Sequence, residues 1–228
     1  MNMIELDLVN LNYELSADTT VSGRFYSIPG GGKYPSITTI LGAGNKSWLA
    51  DWRKRIGGEA ADKIMRQAAR RGTIVHDTME AYVRGKEINE RKLMPHNRAS
   101  YRKLKRILDK KLSKVLAIEA ALYSDHLRAA GRVDMVGIFD GKRSIIDFKT
   151  SRSLKEKEWI TGYFIQTAAY AIMFEERTGI AIPYLQIVMD VDGHDPVVFT
   201  EKRDNWVSDL KSAIKEYETW AESNGTSM

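Results

Sequence analysis

Asp140-Gly141 lies between two runs rich in apolar and β-branched residues, 131–139 and 142–149. Asp-Gly suits a two-residue type I′ hairpin turn, because both positions need positive φ. With that turn, Phe139 faces Lys142, and counting outward Asp134 faces Asp147, their Cα atoms ~4.5–5.5 Å apart. Lys149 then projects from the same face as Asp147. Two opposed carboxylates weaken a sheet by repulsion. A divalent cation held by both offsets it, and hard oxygen ligands select Mg²⁺ or Mn²⁺ over zinc. Ile145, Ile146 and Phe148 mark a buried strand, where an acid and a lysine need a reason to be present. A second turn centred between His126 and Leu127 would bring Glu119 opposite Asp134 as well. A bulge in either hairpin would shift these registers.

The remaining pattern predicts an α/β chain. Residues 3–15 alternate loosely as a strand or hairpin arm, and 23–28 read as a strand. Ser36 is a candidate N-cap for a helix over 37–41. Residues 48–84 are helical with a break at Gly57-Gly58, and 97–114 form a basic helix with Leu104, Ile107, Leu108 and Leu112 at helical spacing. Strands at 115–123, 131–139 and 142–149 follow, then a helix at about 156–178 ending before Gly179. Strands at 183–190 and 196–200 and a helix at about 203–222 close the chain. A chain of 228 residues suits one domain.

Composition removes several chemistries. There is no cysteine, which excludes disulfides, iron–sulfur clusters, thiolate zinc sites and thiol nucleophiles. No apolar run approaches the ~18 residues of a membrane span. The first residues match neither a signal nor a transit peptide, so a cytoplasmic protein is expected. The net charge is only +5, but it is unevenly spread. Residues 98–114 hold eight Lys/Arg against Asp109 alone, and residues 46–71 hold eight against three acids. Such concentration suits either a polyanion-binding face or a solvated helix surface. Arg70, Arg71, Arg102, Lys103, Arg106 and Lys110 are the candidate nucleic-acid contacts. Trp48 and Trp52 could stack on unpaired bases, whereas Trp159, Trp206 and Trp220 read as core.

Four motifs in order carry a resemblance. Gly131-Arg-Val-Asp134 and Ile145-Ile-Asp-Phe-Lys-Thr150 resemble the motif pair of the PD-(D/E)XK nuclease superfamily. Gln166-Thr-Ala-Ala-Tyr170 and Arg71-Gly-Thr-Ile-Val-His76 resemble the Gln-x-x-x-Tyr and upstream histidine motifs of its RecB-type branch. Tyr34-Pro-Ser-Ile-Thr-Thr-Ile-Leu41, Trp52-Arg-Lys-Arg-Ile-Gly57 and the Ala69–His76 run are similar to the mitochondrial genome maintenance exonuclease family and its phage relatives. The resemblance covers about residues 24–200. It implies a restriction-endonuclease-like core, a central mixed β-sheet flanked by helices, with an N-terminal helical extension. One nuclease domain would span 1–228, its strand and helical part at about 1–96 and its catalytic core at about 97–228.

The resemblance also implies roles. Asp134 and Asp147 would hold Mg²⁺ or Mn²⁺, with His76 and the carbonyl of Phe148 as further ligands. Lys149 would orient or deprotonate the attacking water and stabilise developing charge. Glu119 matches an acidic residue of the first core strand, with its part in metal binding left open. Gln166 and Tyr170, at i and i+4 on one helix face, would position the substrate phosphate or the lysine. The expected activity is metal-dependent exonucleolytic hydrolysis of single-stranded DNA with a free end, by a monomer from a bacterium or phage. The resemblance further implies a part in DNA repair and recombination. The alternatives are a structure-selective endonuclease and a catalytically silent nucleic-acid-binding module of the same fold.

Other signals are weak. Gly30-Gly-Gly-Lys33 lacks the glycine spacing and the Ser/Thr of a P-loop, so no nucleotide cofactor is expected. Asp190-Val-Asp-Gly-His-Asp195 places glycine at the fourth position of a candidate calcium loop instead of the sixth, and reads as a turn. His96, His126 and His194 sit in polar stretches and read as solvated.

Overall fold

The computed structural model describes residues 4–43 and 46–224. In chain order the elements are β1 (Glu5–Leu6), β2 (Ser16–Thr20), β3 (Gly23–Ser27), β4 (Lys33–Pro35), α1 (Ile37–Ala43), α2 (Lys46–Ile56) and α3 (Gly58–Val83). There follow α4 (Pro95–Lys111), β5 (Leu112–Ser124), β6 (Ala129–Phe139), β7 (Lys142–Ser151), α5 (Thr161–Thr178), β8 (Tyr184–Val191), β9 (Val197–Lys202) and α6 (Val207–Ser223). Six strands form one sheet in the order β1-β5-β6-β7-β8-β9, and β2-β3-β4 form a small second sheet. The large sheet is mixed. β1 runs parallel to β5 and β7 parallel to β8, while the other neighbours are antiparallel.

Helices cover both faces. Ile37 of α1, Phe164 and Met173 of α5, and Leu210 and Tyr217 of α6 share one core with Ile145 and Leu185. Val75 and Met79 of α3 and Tyr101, Leu104 and Leu108 of α4 share the other with Met135, Ile146 and Phe148. β7 is therefore buried from both sides, which is why its sequence is an apolar run instead of a polar alternation.

Local chemistry sets several boundaries. The Ser36 hydroxyl accepts from Thr39 N–H at 3.0 Å and caps α1 as expected. Asp140 and Gly141 both have positive φ, 52° and 74°, the backbone a type I′ turn requires. The β6–β7 ladder is therefore in the expected register, from Phe139↔Lys142 to Met135↔Ile146. The β5–β6 turn is likewise centred between His126 and Leu127, since Ser124 pairs with Ala129.

Two expectations need correction. Of the described residues 4–15 only Glu5–Leu6 is a strand, held as a parallel edge on β5. The hairpin arm is instead β2, whose Ser-Ala-Asp-Thr-Thr sequence is exposed throughout and so shows no apolar alternation. Trp159 is 69% exposed, because α5 begins only at Thr161 and Trp159 closes a separate single turn over Lys157–Trp159.

Gly131 begins the Gly-Arg-Val-Asp motif on β6, and the Tyr170 ring of α5 lies directly upon it. A Cβ there would sit 2.6 Å from Tyr170 Cε1, well inside contact distance. Gly131→Ala is expected to cost about 1–3 kcal/mol, the range for overpacking a close-packed core. Urea denaturation of the variant beside the wild type measures it.

Candidate active site

The site forms where β6 and β7 part. Their ladder stops at Met135↔Ile146, one step before the expected Asp134/Asp147 pair. Instead of facing Asp147, Asp134 accepts a hydrogen bond from Phe148 N–H at 2.8 Å. A carboxylate thus replaces the carbonyl of a continued ladder, and the two acids avoid direct opposition. On its other side Asp134 lies in register with Glu119, between the pairs Ile118↔Met135 and Ala120↔Val133. The bulges in β5 fall beyond Ala117 and leave that register intact. Glu119 has φ of 47°, unusual for a residue with a side chain. Arg132 holds this backbone by donating to the Glu119 carbonyl at 2.7 Å.

α3 brings the histidine. His76 Nδ1 lies 3.2 Å from Asp134 Oδ1 and 4.0 Å from Glu119 Oε1. One ligand atom from each of His76, Glu119 and Asp134 falls within 4.8 Å of the others. Octahedral Mg²⁺ holds its ligands at ~2.0–2.1 Å, so donors up to ~4.2 Å apart share one ion after slight contraction. Asp147 is outside this cluster, a difference from the expected ligand set. Glu119, whose part the sequence left open, is inside it. Phe148 meets the cluster through its N–H.

Asp147 is 1% exposed. Its Oδ2 lies 2.5 Å from the Lys149 ammonium, while its Oδ1 has no hydrogen-bond partner. The Tyr163 ring covers that ammonium at 5.0 Å. Burial pushes the Asp147 carboxyl above its usual range, and Lys149 pulls it only part of the way back. Burial pulls Lys149 down, but Asp147 and Asp134 outweigh it and hold the ammonium above its ordinary value. Burial and the neighbouring Asp134 push Glu119 to about 7. Burial opposes the charge on His76, yet the hydrogen bond and charge of Asp134 leave it raised. A divalent cation fits these residues, because it would satisfy the orphaned Oδ1 of Asp147 and relieve carboxylates that burial makes costly to ionise.

α5 supplies the third wall. Gln166 Nε2 donates to Tyr170 Oη at 3.0 Å, joining the two motif residues. Burial raises the Tyr170 hydroxyl pKa, so the phenol stays protonated.

The expected nucleic-acid contacts divide. Arg71 is committed inward: its guanidinium lies 2.7 Å from both Asp190 and Asp192. Asp190 is 1% exposed and also accepts from Ser100 of α4 at 2.6 Å. This network ties α3, α4 and the end of β8 together five residues before His76. Arg70 is exposed at the mouth of a cavity of about 630 Å³ between α3, α4 and the end of β7. On α4, Arg102 pairs with Glu90 at 2.6 Å and Lys103 donates to the His194 carbonyl at 2.6 Å. Arg106 and Lys110 are exposed. Next to Lys110, Lys111 pairs with Asp140 at 3.0 Å, at the turn six residues from Asp134. At ~3.3 Å per residue, that end of α4 is about 20 Å along the strand from the site. Trp52 is half-buried, and the Trp48 side chain lies outside the described residues. His96, His126 and His194 are exposed.

Sequence reasoning missed Arg132, Tyr163 and the Arg71–Asp190–Ser100 network. Arg132 was inside a quoted motif, and its place two residues before Asp134, on the same face of the strand, was the available signal. No local pattern announces a bond from residue 71 to residue 190.

A profile of the PD-(D/E)XK nuclease superfamily matches residues 97–222, which is more than half of the chain and runs from the start of α4 almost to the end of α6. The chain belongs to that superfamily, and its mixed sheet flanked by helices is that fold. One similar solved structure is a protein of Eubacterium rectale described as a candidate exonuclease. It is 15% identical, with 69% of each chain covered and a TM-score of 0.47. No protein with a curated description matches this sequence. Among the described residues no helix is long and apolar enough to cross a membrane.

Removing one partner of a buried ion pair leaves an uncompensated charge and costs ~3–5 kcal/mol. Arg71→Ala is therefore expected to lose about that much stability. Arg70→Ala, on the neighbouring exposed position, should change stability by less than about 0.5 kcal/mol. Chemical denaturation of the two variants in parallel checks the contrast.

Proposed function

We propose that the protein is a Mg²⁺- or Mn²⁺-dependent deoxyribonuclease that hydrolyses single-stranded DNA from a free end. The observation that carries this reading is the convergence of His76, Glu119 and Asp134 beside the buried Asp147–Lys149 pair. His76 Nδ1 and the carboxylates of Glu119 and Asp134 would hold the ion, and the unpartnered Oδ1 of Asp147 would complete its field. When bound, such a cation polarises the phosphate and eases deprotonation of water.

The other steps belong to the chain. Lys149 is kept in place by Asp147 and the Tyr163 ring. Its ammonium faces the negative charge that grows on the phosphate oxygens during attack, where fixed positive charge is worth most. The Gln166–Tyr170 pair leaves the phenol available as an oriented donor on the same wall. The pairing of an upstream histidine with Gln166 and Tyr170 supports placement in the RecB-type branch, near the genome maintenance exonucleases.

The preference for a free end rests on α2 and the first half of α3. Residues 65–70 are exposed without a break, so this part of the helix does not lie flat on the sheet. It carries Arg66 and Arg70, and the adjoining α2 carries exposed Lys54 and Arg55. A projecting basic hairpin of this kind can arch over a strand threaded to the site. Together with the exposed face of α4, Arg102, Arg106 and Lys110, it would neutralise backbone phosphates without choosing sequence.

Asp134→Asn and Asp147→Asn are expected to abolish cleavage. Asp134→Asn should keep the fold, since its amide oxygen can still accept from Phe148 N–H. Asp147→Asn leaves the buried Lys149 ammonium without its nearest countercharge and should also lose stability. Mn²⁺ should raise the melting temperature of the wild type by mass action and that of Asp134→Asn less. Equal shifts would remove the assignment. Lys149→Ala should lose at least ~10²-fold in turnover. The reading of a free end is tested with one sequence in linear and circular single-stranded form, in Mg²⁺. Linear strands should be degraded and the circle should persist, whereas cutting of both at similar rates points to an endonuclease.

The salt dependence of binding separates a phosphate-binding face from a merely solvated one. Replacing Arg106 and Lys110 by Ala should flatten the log–log salt slope by ~0.7 per lost contact.

A further inference from the structure

Eight consecutive residues after β7, 152–159, are exposed. They connect the strand bearing Asp147 and Lys149 to the helix bearing Tyr163, Gln166 and Tyr170. Within them Trp159 is 69% exposed. A tryptophan carries a large apolar surface and is usually well buried, so an indole held out in water suggests a surface awaiting a ligand.

The backbone beneath the ring is fixed. Trp159 N–H donates to Glu156 O at 3.1 Å, and Ile160 N–H to Lys157 O at 3.1 Å. Ile160 itself is 3% exposed and packs in the core under α5. The indole is thus mounted on an anchored turn. Four residues on, in the first turn of α5, Tyr163 lies against the Lys149 ammonium. The exposed ring thus belongs to the short segment whose two ends, at Lys149 and Tyr163, meet in the candidate active site.

The charges around it are mixed. Arg152 and Lys155 are exposed on the same segment and form no ion pair among the described residues, Arg152 donates to Gln67 Oε1 at 3.5 Å, and Glu156 and Glu158 are exposed beside them. Lys157 pairs with Glu201. A flat exposed ring offers stacking for a base, and cations free of ion pairs on the same segment offer charge for its phosphate, without reading sequence. We propose that Trp159 is the stacking platform for an unpaired base flanking the phosphate held at the site, with Arg152 and Lys155 on the adjoining backbone. A duplex end would have to unstack to use it, which favours single strands. This inference rests on the nuclease reading above for its choice of ligand.

The test uses the full chain and end-labelled oligothymidylate in EDTA, so that binding is measured without cleavage by fluorescence anisotropy. Trp159→Ala should raise Kd by about tenfold, within the range for one stacked base. Trp159→Phe should recover part of that loss, because it keeps an aromatic face. A single abasic residue is then walked along the strand. The wild type should lose affinity by a similar factor at one position, and Trp159→Ala should be insensitive at that position. A Trp159→Ala protein that binds and discriminates abasic strands as the wild type does overturns the proposal, whatever the cleavage assays give. A wild type that shows the coupling yet fails to hydrolyse the strand in Mg²⁺ upholds the platform and overturns the nuclease reading instead.

Discussion

Asp147 places a carboxylate in the middle of a sheet, on a strand buried from both sides, with 1% of its surface exposed. A buried charge of this kind is tolerated only with a close countercharge or a metal. Lys149, two residues on and from the same face, supplies the first. The chain also avoids adding a second acid directly opposite. β6 and β7 hold their ladder to Met135↔Ile146 and then separate. At that point the Phe148 N–H would lose its cross-strand partner, and the Asp134 side chain takes it. β7 can leave β6 there without unravelling because β8 pairs with it in parallel through Ser151. The split that opens the site thus follows from electrostatic conflict on one edge of β7 and continuous hydrogen bonding on the other.

The geometry of His76 depends on a second buried charge. α3 crosses the sheet, and its packing by Val75, Met79 and Val83 fixes how deep it sits. Apolar contacts alone resist sliding poorly, whereas a bidentate-capable guanidinium against a buried carboxylate is directional. Arg71 with Asp190 and Ser100 therefore pins α3 and α4 to the end of β8. The cost of desolvating that pair is offset only when both partners are present, so the register of the helix is tied to the sheet.

In the proposed reading the two tasks of a nuclease use different parts of the chain. The groups that would face the reacting phosphate are on paired strands and packed helices, where a rotamer is held by its neighbours. The groups proposed for the rest of a strand are on exposed elements: the projecting half of α3, one face of α4 and the segment 152–159. Exposed cations and rings tolerate variation in sequence because phosphates and base faces are common to every nucleotide.

Much of this was legible in the sequence. Asp140-Gly141 set the register of one hairpin because a turn of fixed length and handedness counts residues outward. The apolar run 145–148 announced a doubly buried strand, so its acid and lysine stood out. The place of His76 followed from motif order. Three matters were decided only by tertiary structure. The direct pairing of Asp134 with Asp147 failed, because side-chain repulsion and a side-chain hydrogen bond end the ladder where backbone rules would continue it. Arg71 reads as a surface cation beside Arg70, and only the arrival of Asp190 from a strand over a hundred residues away turns it inward. Trp159 reads as core by its spacing, and only the late start of α5 leaves it in water. Local sequence determines turns, periodicity and the chemical identity of the site. Which charges are neutralised, and which rings stay exposed, depends on groups brought from distant parts of the chain.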